Sequence, residues 1–239
     1  MCPVSLGFRT PLDPTIIWRY MPLSKFETFV QSSALWFAAA SSFRDRFEGT
    51  KAAAEASARD RLWDRLGVAD EQRETIRGLT DWNRQLSFVN CWMMNTKESD
   101  LMWRAYAGAN GVAIESTYGR LRSVLPDWIF IHEVEYIDYE KDRMINGHSL
   151  APIFYKRKEF ADEREVRAVV DVFPVGDARR LGTKPLPKGN AIGVDLRRLL
   201  TRVILSPFPA PDLLKRVEQL IGSAGIPLAY SSLDKAPRR

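Results

Sequence analysis

The densest concentration of potential chemistry in this chain is Asp162-Glu163-Arg164-Glu165-Val166-Arg167-Ala168-Val169-Val170. The two-residue period of a strand would set Glu163, Glu165 and Arg167 on one face and Val166, Ala168 and Val170 on the other. Same-face neighbours then lie ~6–7 Å apart, so that two carboxylates could act on one substrate. The same alternation also describes a half-exposed strand with a solvated polar face.

Three other segments hold polar groups in apolar surroundings. Arg19 stands between Trp18 and Tyr20, where an unpaired guanidinium is costly. It either pairs with a nearby carboxylate or clamps an anionic ligand, which its planar donors do well. Ser41 to Gly49 gathers Ser41, Ser42, Arg44, Asp45, Arg46 and Glu48 at a strand exit. This is either a surface turn anchored by Phe43 and Phe47 or the wall of a pocket. Met102, Trp103 and Tyr106 form an aromatic stripe, either core packing or a stacking wall for an adenine or nicotinamide ring.

Other chemistries lack their residues. His132 and His148 have no cysteine near them, so a structural zinc site has too few ligands, and no metal site is expected. There is no G-x-S-x-G elbow, no phosphate loop and no G-x-G-x-x-G fingerprint. Cys91 sits in an apolar strand, where a thiol loses reactivity.

The elements that must carry these residues can be read from periodicity. Strands are expected at Ile16 to Met21, Ala34 to Ala39, Ser87 to Met94, Gly111 to Ser116, Phe130 to Ile137, Glu165 to Phe173, Ile192 to Leu196, Arg202 to Ser206 and Ile226 to Tyr230. Helices are expected from Ser24, as N-cap, to Val30, then at Ser99 to Ala107, Pro152 to Phe160 and Pro211 to Ile221. Residues 51–86 read as a helical insertion of two helices broken near Gly67, and 174–190 as a loop or wide hairpin. The order lacks regular βαβ alternation, which predicts one α+β domain over residues 1–239 with mixed, mainly antiparallel sheets. The 239 residues and net charge of +5 fit a globular domain tilted towards anionic partners. Sparse cysteine, no leader-like start and no run of ~18 apolar residues predict a cytoplasmic protein that does not enter membranes.

Taken together, these motifs resemble the bacterial family called domain of unknown function 2971. The similarity rests on WRY, SSFRDRFEG, DLMWRAYAGANGVAIE, YKRKEFADEREVRAVV and RVILSPFPAPDLLKRVEQL, and spans about residues 16–232. Arg44 and Arg46 replace the Asn and Pro of the family's Phe-Asn-Asp-Pro-Phe form, which makes this turn more basic. The resemblance implies a role in phage defence or a toxin system. A second, weaker similarity is to R-S-E type ADP-ribosyltransferases, and it implies an ADP-ribosyltransferase-like fold with NAD as substrate. On that similarity Arg19 and Tyr20, Ser41 or Ser42, and Trp103 with Tyr106 would bind NAD. Glu165 would stabilise the oxocarbenium-like ribose and Glu163 would position a nucleic-acid or protein acceptor. Two other expectations stand beside it: a non-enzymatic nucleic-acid- or protein-binding module, and a metal-dependent nuclease using Asp45, Glu48, Glu163 and Glu165.

Overall fold

The structure, a computed structural model, describes residues 6–144, 148–171 and 187–234. The chain opens with strand β1 (Ile16–Pro22), helix α1 (Leu23–Ser32) and strand β2 (Ala34–Ala39). Pro22 caps α1 in place of Ser24, and Ser33 ends it in the left-handed region with its N–H on the Val30 carbonyl. Helices α2 (Ala53–Leu66) and α3 (Asp70–Leu86) follow, and Gly67 closes the first at a φ of 64°. Trp63 and Leu86 are buried anchors of this pair, and the Trp63 ring lies under the guanidiniums of Arg59 and Arg77. Strand β3 (Ser87–Met94), a short turn α4 (Asp100–Met102), strand β4 (Gly111–Thr117) and helix α5 (Tyr118–Val124) complete the first half.

The second half contains β5 (Phe130–Glu133), β6 (Glu135–Ile137), β7 (Tyr155–Arg157), β8 (Glu165–Asp171), β9 (Gly189–Gly193), α6 (Leu196–Leu199), β10 (Arg202–Leu205), α7 (Leu213–Ile221) and β11 (Leu228–Tyr230). The main sheet runs β11-β10-β4-β1-β3-β2-β9, with β8 also on β3 and β5 beyond it. A separate pair, β6 and β7, is parallel, as are β10 and β11. The other pairings are antiparallel, so the fold is a mixed α and β one built on a mainly antiparallel sheet.

Strand β3 organises the sheet. Its whole length from Ser87 to Met93 pairs with β8 on one edge. On the other edge β2 pairs only with Phe88 and Val89, and β1 only with Met93 and Met94. Between those contacts β1 and β2 diverge, and side chains occupy the split: Asn90 donates to the Trp36 carbonyl at 2.8 Å, and Arg19 to the Cys91 carbonyl at 3.5 Å. Buried backbone acceptors need partners, and here side chains replace a strand.

One sheet face carries Ile17, Trp92, Ile114, Val166 and Val203, which pack under Phe26, Phe29, Leu121, Leu199 and Val217 of the helices. The other face has two apolar groups. Trp18, Tyr20, Met93 and Ala113 pack with Met102 and Trp103. Val89 and Val169 pack with Leu6, Phe8, Ile153 and Phe154. Among the described residues no helix is long and apolar enough to cross a membrane.

Four expectations need correction. Pro152 to Phe160 is not a helix: Ala151–Phe154 and Lys158–Glu163 are 3₁₀ turns around strand β7. Ala151 to Tyr155 are buried without a break, which erases the periodicity that separates helix from strand. Phe130 to Ile137 is two strands, because Val134 leaves the β8 ladder and donates its N–H to the Glu165 carbonyl. The strand expected at Ile192 to Leu196 begins and ends earlier, at Gly189–Gly193, because Asp195 caps helix α6 through the Arg198 N–H. Ser99 to Ala107 is helical only in part, and Trp103–Ala107 forms a π turn. Most of the 174–190 loop lies outside the described residues.

Candidate active site

Five charged side chains meet on the β3–β8 face between the two apolar groups. The Lys156 ammonium, from β7, lies 2.5 Å from Glu163 Oε2, 2.6 Å from Glu165 Oε1 and 3.6 Å from Glu48 Oε1. Arg167, two residues beyond Glu165 on β8, donates Nε to Glu165 Oε2 at 2.7 Å and Nη1 to the Ile153 carbonyl at 2.7 Å. Its Nη2 pairs with Glu48. Beside them Arg157 Nε bonds Asp45 Oδ2 at 2.9 Å. Glu48, Lys156, Glu165 and Arg167 are almost fully buried, while Glu163 is half-buried at the rim.

Local backbone explains how these groups converge. Strand β8 starts only at Glu165, so Glu163 does not share a strand face with it as the two-residue period implied. Glu163 ends a 3₁₀ turn, and Arg164 between the two glutamates has a φ of +44°. That left-handed residue reverses the chain and brings the Glu163 carboxylate back onto the same ammonium. A non-glycine residue there stores strain, which often marks a functional site. Glu165 and Arg167 do share one face, as a strand requires. The turn after β2 is stapled by the Asp45 carboxylate accepting the Phe47 N–H, which directs Glu48 inward. The π turn, a geometry frequent at functional sites, places the Tyr106 hydroxyl 2.9 Å from Glu163 Oε1.

The electrostatics separate the two glutamates. Burial works to raise both carboxyls. For Glu165 the Arg167 and Lys156 cations outweigh it and hold the group well below the ordinary carboxylate range. For Glu163 burial and the adjacent Glu165 charge prevail, and its carboxyl is raised to about 7. Lys156 stays charged despite burial because Glu165 and Glu48 flank it. The Cys91 thiol, on the same face opposite Arg167, is pushed far up by burial and by Glu165.

The expected site residues divide by position. Glu163, Glu165 and Tyr106 come together. Arg19 does not join them: Trp18 opposes Met93 and Met93 opposes Glu165, so Arg19, one residue on, faces the other side of the sheet. It approaches the cluster only through the backbone of Cys91. Among the described residues its guanidinium has no carboxylate partner, and burial lowers its pKa. Tyr20 is buried, its hydroxyl accepting the Ser99 N–H and its ring edge-on to Trp103 at 5.1 Å. Trp103 is buried too and donates Nε1 to Glu98. Of the aromatic stripe only Tyr106 keeps a ring open to solvent. Ser41 and Ser42 are exposed after β2, and Ser42 Oγ donates to the Ala39 carbonyl.

Sequence reading missed Lys156, Glu48 as its partner, and Tyr136, whose hydroxyl accepts the Glu165 N–H. The signal available was modest: Lys156 lies in a run with Arg157 and Lys158, and nothing marks it as the buried one. The four acidic residues weighed for a nuclease do not form an open ligand set. Asp45 is taken by Arg157, an ammonium sits among the other three, and among the described residues no acidic, histidine or cysteine group is arranged to hold a metal. No protein-family model matches the chain, and no curated protein matches it in sequence.

Proposed function

We propose that this chain transfers ADP-ribose from NAD to a nucleic-acid or protein acceptor, or to water, at the Glu163–Glu165 pair, on an ADP-ribosyltransferase-like variant of the sheet. The observation that carries the reading is the pair itself: two carboxylates on one ammonium, one held ionised and the other titrating near neutrality at the rim. Pairs of acids driven apart in this way recur where one group stabilises charge and the other moves a proton. In this reaction the bond between ribose C1′ and nicotinamide nitrogen breaks and nicotinamide leaves with the electron pair. The Glu165 carboxylate stabilises the cationic sugar. Ionised Glu163 accepts the proton of the acceptor as its oxygen or nitrogen bonds C1′. The exposed Tyr106 ring would stack on nicotinamide. Arg19, at the split, would touch NAD only where the dinucleotide crosses between β1 and β2. Membership of the domain family named above, a defence or toxin role and a cytoplasmic address belong with this proposal.

The test is nicotinamide release from NAD with water, nucleic acid and protein offered in turn. The reading expects release that falls at least a hundredfold in Glu163→Gln, a variant that leaves Lys156 with Glu165 and Glu48. No release with any acceptor overturns it. One observation favours a second reading, a non-enzymatic binding module. Lys156, Arg167, Glu48 and Glu165 satisfy one another almost wholly out of solvent, as a network that only specifies the fold would. That reading expects partner binding to survive Glu163→Gln and to weaken steeply with salt.

A further inference from the structure

The two glutamates are not held alike. Both oxygens of Glu165 meet cations, Oε1 the Lys156 ammonium and Oε2 the Arg167 guanidinium, and its N–H donates to Tyr136. Among the described residues Glu163 meets one cation, Lys156 at Oε2, together with the neutral hydroxyl of Tyr106 at Oε1 and the adjoining Glu165 carboxylate. The remaining charged neighbours fall on Glu165's side: Glu48, from the turn after β2, pairs with Arg167 and Lys156, and Asp45 is neutralised by Arg157. From β3 the neutral Cys91 thiol faces Arg167. A proton entering the pair therefore displaces less attraction from Glu163 than from Glu165.

We propose that Arg167, bonded to Glu165 and not to Glu163, leaves the pair's single proton to Glu163, the proton-carrying group of the site beside a permanently ionised Glu165, and that Lys156 and Tyr106 are positioning residues that keep this proton exchangeable. This rests on the reading above for its catalytic meaning but not for its chemistry. Lys156 does two things: it draws Glu163 against Glu165, where like charge favours a proton on one of them, and it keeps that proton exchangeable by still favouring the anion. The Tyr106 hydroxyl caps the outer oxygen and stands where an acceptor's hydroxyl or amine would replace it. The raised affinity of Glu163 for a proton agrees with this arrangement.

The experiment is a carboxyl titration by carbon-13 NMR on glutamate-labelled protein without NAD, with Glu163 assigned from Glu163→Gln. Wild type is expected to show Glu163 titrating near 7 and no titration of Glu165 down to the acid limit of folding. Tyr106→Phe, a rim change compatible with folding, is expected to raise the Glu163 midpoint by several tenths of a unit because it deletes a donor to the anion. Lys156→Met is expected to raise it by a unit or more, and Glu165→Gln to lower it by at least a unit. A Glu163 midpoint at the ordinary glutamate value, or one that Tyr106→Phe leaves in place, overturns the proposal. Nicotinamide release is read separately. If it is absent while the titration behaves as stated, the NAD reading fails and the proton assignment stands. If release occurs with Glu163 titrating ordinarily, the reverse holds.

Discussion

Replacing Arg167 by Met tests whether the charged cluster holds the fold. Methionine keeps the unbranched stem of the side chain and removes the guanidinium, leaving Glu165 Oε2 and the Ile153 carbonyl without their donor. Glu48 keeps only the longer 3.6 Å approach of Lys156. Removing one partner of a buried ion pair costs roughly 3–5 kcal/mol because an uncompensated charge stays behind. A domain's whole stability is about 5–15 kcal/mol, so the variant should fold with a much reduced margin. Its thermal midpoint should fall by on the order of 10 °C for a chain of this size. Urea unfolding gives the free energy directly, with an unchanged m-value showing that the folded and unfolded states expose the same surface. Arg104→Met is the control: its pair with Asp100 is exposed on both sides and should contribute about 0–1 kcal/mol. If Arg167→Met costs no more than that control, the cluster does not bind the sheet to the segments over it, and the physical account given for it is wrong.

Two further outcomes follow. Glu163, whose folded-state proton affinity is raised, contributes stability that is full below pH 4.5 and is lost as pH rises through about 7. Glu165, whose value is depressed, contributes stability above pH 4.5 that is lost as pH falls through its folded-state value. The urea midpoint should therefore peak on the acid side of neutrality, and Glu163→Gln should flatten the decline between pH 5 and 8; a wild-type profile level across that range contradicts the assignment. Gly111→Ala would place a Cβ 2.3 Å from the Ala107 carbonyl oxygen, a contact that backbone must relieve. Overpacking of this kind costs about 1–3 kcal/mol. It should show as a lower urea midpoint together with a changed Tyr106 ultraviolet signal, because the displaced segment is the π turn.

The fold was legible where one face of a strand or one long apolar run decides the outcome. Ala34–Ala39 and Ser87–Met94 have the bounds their aromatic and β-branched residues imply, and Gly67 parts two helices as expected. It was not legible where burial is complete, as at Ala151 to Tyr155, or where a short helix such as Tyr118–Val124 follows a strand whose last residue, Thr117, caps it. The glutamates and Arg167 stood out because charge interrupts an apolar strand. Their partners did not: Glu48 lies 119 positions from Arg167 and Asp45 lies 112 from Arg157, and pairing across such spans leaves no local pattern. Arg19 marks a different limit. An arginine beside tryptophan and tyrosine suggests a ligand clamp, but one step along a strand reverses the direction of a side chain, and only the register of β1 on β3 shows which face it takes.

The divided edge of β3 also constrains how the polypeptide can be made. Strands β1 and β2 leave the ribosome before any strand they pair with, and neither pairs with the other; both wait for β3, β1 also for Gly111–Thr117 and β2 for Gly189–Gly193. Until those arrive, the edge of a segment as sticky as Ala34-Leu35-Trp36-Phe37 has no mate. Nascent chains are then open to chance association until Gly189–Gly193 has emerged, and distant pairings of this kind make folding slow. Yield from rapid overexpression should be limited by this interval rather than by the endurance of the finished molecule.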